Sequence, residues 1–130
     1  MIKSTIDVAG YWSIVLFVDV DYDNFDIIES SLTNILAPIS VIDEMYNKIS
    51  YKYDSGVTFS NPDYRTSVVC INKATSREEL INTISHEADH IQNDICKYYD
   101  VPLDSEQAAY LIGYLVGKMY YQSRRLFCSY

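Results

Sequence analysis

Ser76-Arg77-Glu78-Glu79-Leu80-Ile81-Asn82-Thr83-Ile84-Ser85-His86-Glu87-Ala88-Asp89-His90-Ile91-Gln92-Asn93-Asp94-Ile95 carries two patterns on one helix. Leu80, Ile84, Ala88, Ile91 and Ile95 recur at three- and four-residue spacing, the period of an apolar helical stripe. Ser76, with Glu79 three residues on, forms a capping box that marks the start. At ~100° per residue, His86 and His90 fall almost opposite the centre of the stripe, and Glu87 falls at its border. The helix therefore turns one side to a core and presents both of the chain's histidines on the other.

Histidines at i and i+4 lie one turn apart on the same face and can grip one metal ion. The glutamate that follows the first of them can reach a metal-bound water and take its proton. A catalytic zinc site needs three protein ligands and one open position, so a third must come from elsewhere. The strongest candidate is Glu106, in the first turn of the last predicted helix. Gly113 and Gly117 fall within about 20° of it on that helix, with Tyr110 at the border. Such a stripe of small residues would let the last helix press against the histidine helix and deliver the carboxylate. Two other ligands compete. Cys96 stands where a third histidine follows in the metzincin pattern, with Asn93 in the place of its glycine, but on an unbroken helix it points away from the imidazoles. Asp94, one turn past His90, is the other.

His86-Glu87-x-x-His90 followed by Glu106 on a second helix resembles the gluzincin branch of zinc metallopeptidases. Glu106-Gln107-Ala108-Ala109-Tyr110-Leu111 is similar to the Glu-x-x-Ala segment of its short bacterial and phage members, which include small peptidases that cleave phage-type repressors. The likeness runs from about Ser76 to Lys118, a third of the chain. It implies a minimal zincin-like domain with Zn²⁺ held by His86, His90 and Glu106, Glu87 as general base, and a protein or peptide as substrate. It also admits a catalytically inactive zincin-like binding or regulatory protein, encoded by a phage or mobile element. In larger gluzincins an acid four residues past the ligand glutamate orients a histidine. Tyr110 occupies that place here, so the resemblance supplies no such partner.

Outward from this helix, the chain predicts an α+β fold in one domain spanning 1–130, with a small mixed or antiparallel sheet packed on the histidine helix and the C-terminal helix. Tyr11 to Val20 alternates as a strand, with Trp12, Ile14, Leu16, Val18 and Val20 on one face. Asp23 to Leu36 has helical periodicity and stops at Pro38. Val41 to Ile49 is a shorter helix. Ser55-Gly56 and Asn61-Pro62-Asp63 are turn signals that bracket and precede two short strands, Val57 to Ser60 and Tyr64 to Ile71. The strand Val57 to Ser60, with glycine before it and proline after it, is the candidate sheet edge. The last helix opens at Asp104, with Gln107 completing a capping box, and shows Ala108, Leu111, Ile112, Leu115 and Met119 on its apolar face.

Eighteen acidic residues against ten basic ones give a net charge of −8. That balance excludes a phosphate backbone as the natural partner, because nucleic-acid binding leans on Lys and Arg. Cys70, Cys96 and Cys128 are odd in number and form no Cys-x-x-Cys. They are expected to be buried small hydrophobes in a reducing, cytoplasmic setting. The apolar run from Tyr11 to Val18 is too short to span a bilayer, and Asp7 and Asp19 flank it, so neither a signal peptide nor a membrane partner is expected.

Overall fold

The computed structural model describes residues 1–51 and 55–127, so Cys128 lies outside them. Four strands form one mixed sheet: β1 (Ile2–Val8), β2 (Trp12–Val20), β3 (Gly56–Asn61) and β4 (Thr66–Asn72), in the spatial order β1-β2-β4-β3. β1 pairs antiparallel with β2, β2 parallel with β4, and β4 antiparallel with β3. A parallel pair cannot be closed by a tight turn and needs a crossover. α1 (Phe25–Asn34) and α2 (Ile39–Tyr51) lie within that crossover. α3 (Arg77–Tyr99) and α4 (Glu106–Ser123) follow the sheet. The fold is α+β, and its sheet is mixed.

The two faces of the sheet bury separate cores. Trp12, Ile14, Leu16 and Val18 of β2 join Val69 and Ile71 of β4 against Leu80, Ile84, Ala88, Ile91 and Ile95 of α3 and Leu115 and Met119 of α4. The whole predicted stripe of α3 is thus in place. Phe17, Val68 and Cys70 face the other way, onto Phe25, Ile28 and Leu32 of α1 and Met45 and Ile49 of α2. Val20 belongs to this second core, not to the face of Trp12. Asp19 adopts a left-handed conformation with φ of 61°, and the register slips between Val18 and Val20. One bulged residue reverses the side on which the next one falls.

Local signals set the element ends, with corrections. Ser76 Oγ accepts from Glu79 N at 3.1 Å, while the Glu79 carboxylate takes its hydrogen bond from Thr75 Oγ1. Pro38 starts α2 as well as ending the preceding segment: its carbonyl accepts from the amides of Val41 and Ile42. The cap of α4 is Ser105, not Asp104, and its Oγ accepts from Ala108 N, so Gln107 takes no part in a box. β1 is an addition to the strands that the sequence predicts, although Ile6 and Val8 are buried and Lys3, Thr5 and Asp7 exposed in strict alternation. The helix-packing role foreseen for Gly113 and Gly117 fails, because a Cβ at either would meet nothing within 4 Å. Both lie on the solvent side, opposite buried Ala108, Leu115 and Met119. Among the described residues no helix is long and apolar enough to cross a membrane.

Candidate metal centre

β3 is the last strand of the sheet, and its alternation decides what the histidine helix meets. Val57 and Phe59 pack toward α1 and α2. Gly56, Thr58 and Ser60 have the opposite parity and face α3 across an open cleft of about 660 Å³, into which His86, Glu87 and His90 also open. Ser60 Oγ lies 2.7 Å from Ser67 Oγ, which accepts from Trp12 Nε1 at 3.0 Å, so a buried polar chain ties this edge strand to the middle of the sheet.

His86 and His90 are exposed, with ring centroids 4.8 Å apart and planes at 85°. Their Nε2 atoms stand 3.3 Å from each other. Two imidazole nitrogens bound at 2.0–2.1 Å to a tetrahedral zinc would be about 3.3–3.4 Å apart. The pair already has the bite of a zinc chelate. The same spacing suits a proton, with one ring's Nε2–H donating to the lone pair of the other.

Glu87 is only 2% exposed. Thr58 Oγ1 donates to its Oε1 at 2.8 Å. A Cβ built on Gly56 would come within 3.0 Å of Glu87 Cγ, of Glu87 Oε2 and of Thr83 Cγ2. Gly56 therefore acts by what it lacks: the carboxylate lies in the space a larger side chain would fill. Sequence reasoning missed Gly56 and Thr58. The signal was available in Gly56-Val57-Thr58-Phe59-Ser60, whose small and polar residues alternate with apolar ones.

The other predicted ligands are placed differently. Asp94 lines the same cleft. Two helical turns separate it from His86, a rise of about 12 Å, which a short carboxylate cannot cover to share one ion with both histidines. Cys96 is buried on another side of α3, beside Tyr11 and Tyr99, and so does not face the histidines. Glu106 is exposed in the first turn of α4 and is not among the residues lining the cleft. Its carboxylate enters no side-chain hydrogen bond or ion pair among the described residues. Its turn is tied to α3 at the level of His90 but on the far side of that helix, because Gln92 Nε2 donates to Ala108 O at 2.6 Å and Gln92 lies about 200° round from His90. Among the described residues no three His, Cys, Asp or Glu side chains converge into a metal-holding group. The residues thus fit zinc in the histidine pair, and the third ligand is not gathered beside it.

Cys70 lies in β4 on the opposite face of the sheet, turned to α1 and α2, and is fully buried. Burial pushes its thiol well above the usual range, and the Glu87 carboxylate pushes it further. Above the ordinary thiol pKa of about 8.5, the unfolded chain loses this proton and the folded one keeps it, so stability falls as pH rises. The slope is about 1.4 kcal/mol per pH unit. Urea denaturation across the alkaline range should show wild type losing stability faster than Cys70→Ala by that slope. Equal slopes would mean that the thiol titrates freely.

No protein-family model, curated protein or solved structure matches this chain.

Proposed function

We propose that the chain is a small zinc-dependent peptidase, with His86 and His90 as metal ligands, Glu106 as the third, and Glu87 as general base. The observation that carries this reading is the 3.3 Å Nε2 pair opening onto the same cleft as a buried, oriented carboxylate. Glu106 is favoured by elimination of Cys96 and Asp94, neither of which can share one ion with both histidines.

Zinc bound there supplies Lewis acidity toward a carbonyl and acidifies water. The chain's own groups do the rest. Thr58 occupies one lone pair of Glu87 Oε1 and fixes the carboxylate plane. Oε2 is left to take a proton from the attacking water and to return it to the departing amine as the peptide bond breaks. A substrate chain is expected to lie extended along β3, whose outer edge pairs with no other strand among the described residues and can hydrogen-bond a peptide backbone.

Elemental analysis of protein purified without added metal and without affinity histidines tests the ligand set. Wild type should hold one equivalent of zinc. His86→Ala and His90→Ala should lose it, and Glu106→Gln should hold it more weakly. Absence of zinc, with no thermal shift on adding it, would overturn the reading. Tightly held zinc with no cleavage in a broad peptide library would instead make the chain a zincin-like binding module.

A further inference from the structure

Two polar groups at one end of the histidine cleft take no part in the metal site or in the base. The first is the Ser60 hydroxyl. Trp12 Nε1 can only donate, so Ser67 Oγ accepts from it at 3.0 Å. Ser67 is fully buried, and among the described residues Ser60 Oγ, 2.7 Å away, is the one acceptor open to its proton. Ser67 therefore donates to Ser60, since the reverse direction would leave a buried hydroxyl proton without a partner. The proton of Ser60 is then unspent, and Ser60 lines the cleft. The second group is the Asp94 carboxylate, which lines the same cleft and enters no hydrogen bond or ion pair among the described residues.

Strand and helix bring the two toward each other. At ~100° per residue, Thr83, Glu87 and Asp94 fall within about 40° of one another on α3. A Cβ on Gly56 would meet both Thr83 and Glu87, and Thr58 donates to Glu87, so β3 and this stripe run in the same sense. Ser60 stands about 6.8 Å past Thr58 along the strand. Asp94 stands about 10.5 Å past Glu87 along the helix axis, with its side chain inclined back toward the helix start. Both therefore belong to the end of the cleft beyond Glu87.

A donor beside an acceptor selects a group that is both. A substrate carboxylate could accept from Ser60 but would be repelled by Asp94. Lysine or arginine could pair with Asp94 but has nothing to accept the Ser60 proton. An apolar side chain would leave both groups unpaired. A primary amide offers its carbonyl oxygen to Ser60 and its NH2 to Asp94. Lys48, the one Lys or Arg that lines the cleft among the described residues, is already held by Glu44 at 3.3 Å.

We infer that Ser60 and Asp94 form a subsite that selects an asparagine or glutamine side chain of the substrate. That side chain lies two residues along the extended chain from the one beside Glu87, because same-face positions of the substrate recur in step with those of β3. The inference rests on the peptidase reading of the cleft.

The probe is a peptide library randomised over three positions on each side of the cleaved bond, followed by kcat/KM for matched peptides with Gln, Leu, Glu or Lys at the selected position. Wild type should prefer Gln or Asn at the second position on one side and should cleave the Gln peptide about tenfold better than the Leu peptide. Ser60→Ala should erase that difference. Asp94→Lys should move the preference from Gln to Glu. The ratio between two peptides cancels any loss of folding or turnover that both share, so a poorly folded variant does not imitate the result. If wild type cleaves no peptide, the peptidase reading and the subsite fall together. Cleavage with no amide preference, or with one that either variant keeps, overturns the subsite alone.

Discussion

Glu87→Gln is expected to lower peptide cleavage by about 10²- to 10⁴-fold while leaving zinc content unchanged. The substitution keeps the size of the side chain and its carbonyl oxygen, so the hydrogen bond from Thr58 at 2.8 Å can persist. It removes the basic oxygen that would take the water's proton. It also removes a charge from a position only 2% exposed, where an ionised carboxylate is costly to hold. The variant should therefore unfold at the same temperature as wild type, or at a higher one. A gain in stability together with a loss of turnover is the signature of a charge kept for chemistry, not for folding. Cleavage by Glu87→Gln at the parent's rate would place the base elsewhere. Loss of zinc from the variant would show that the carboxylate supports the metal site and is not the base.

Those parts of the fold that follow from local periodicity were legible in the chain. The stripe Leu80-Ile84-Ala88-Ile91-Ile95 and the cap at Ser76 depend only on neighbours along one helix, and both stand as predicted. The edge position of the Gly56–Asn61 strand follows from its flanking turn residues. The parallel pairing of β2 with β4 is set by how the crossover helices pack, which no local pattern encodes. Val20 changed faces because Asp19 takes a left-handed conformation that its side chain does not announce. Helical spacing does put Gly113 and Gly117 on one stripe with Glu106, but small residues mark a helix contact only where another helix lies over them. Glu106 shares that exposed face of α4, and which way the face turns relative to the histidines is set by how α4 packs on α3, beyond the reach of helical arithmetic. The i, i+4 histidine pair needed only the helix itself, and it is the part of the candidate site that one element can build.

Gly56→Val should both destabilise the protein, by about 1–3 kcal/mol, and misplace the carboxylate. At this position the first added carbon would already stand 3.0 Å from Glu87 Cγ, Glu87 Oε2 and Thr83 Cγ2. Valine brings two further methyl groups. Thr83 is β-branched and sits within α3, where its χ1 has little freedom, so the movement falls on Glu87. The Thr58 hydrogen bond would then stretch or break. A displacement of about 1 Å in a catalytic group can cost about 10²-fold in rate. The histidine pair makes none of these contacts, so zinc binding should survive. Gly56→Val thus separates two parts of the site that removal of a ligand would lose together, namely the metal and the orientation of the base. Comparison with Thr58→Ser, which retains a hydroxyl for Oε1, and Thr58→Val, which does not, divides the effect further. If Gly56→Val melted, bound zinc and cleaved peptide as the parent does, the space beside Gly56 would have no bearing on the carboxylate, and the oriented-base argument would lose its structural footing.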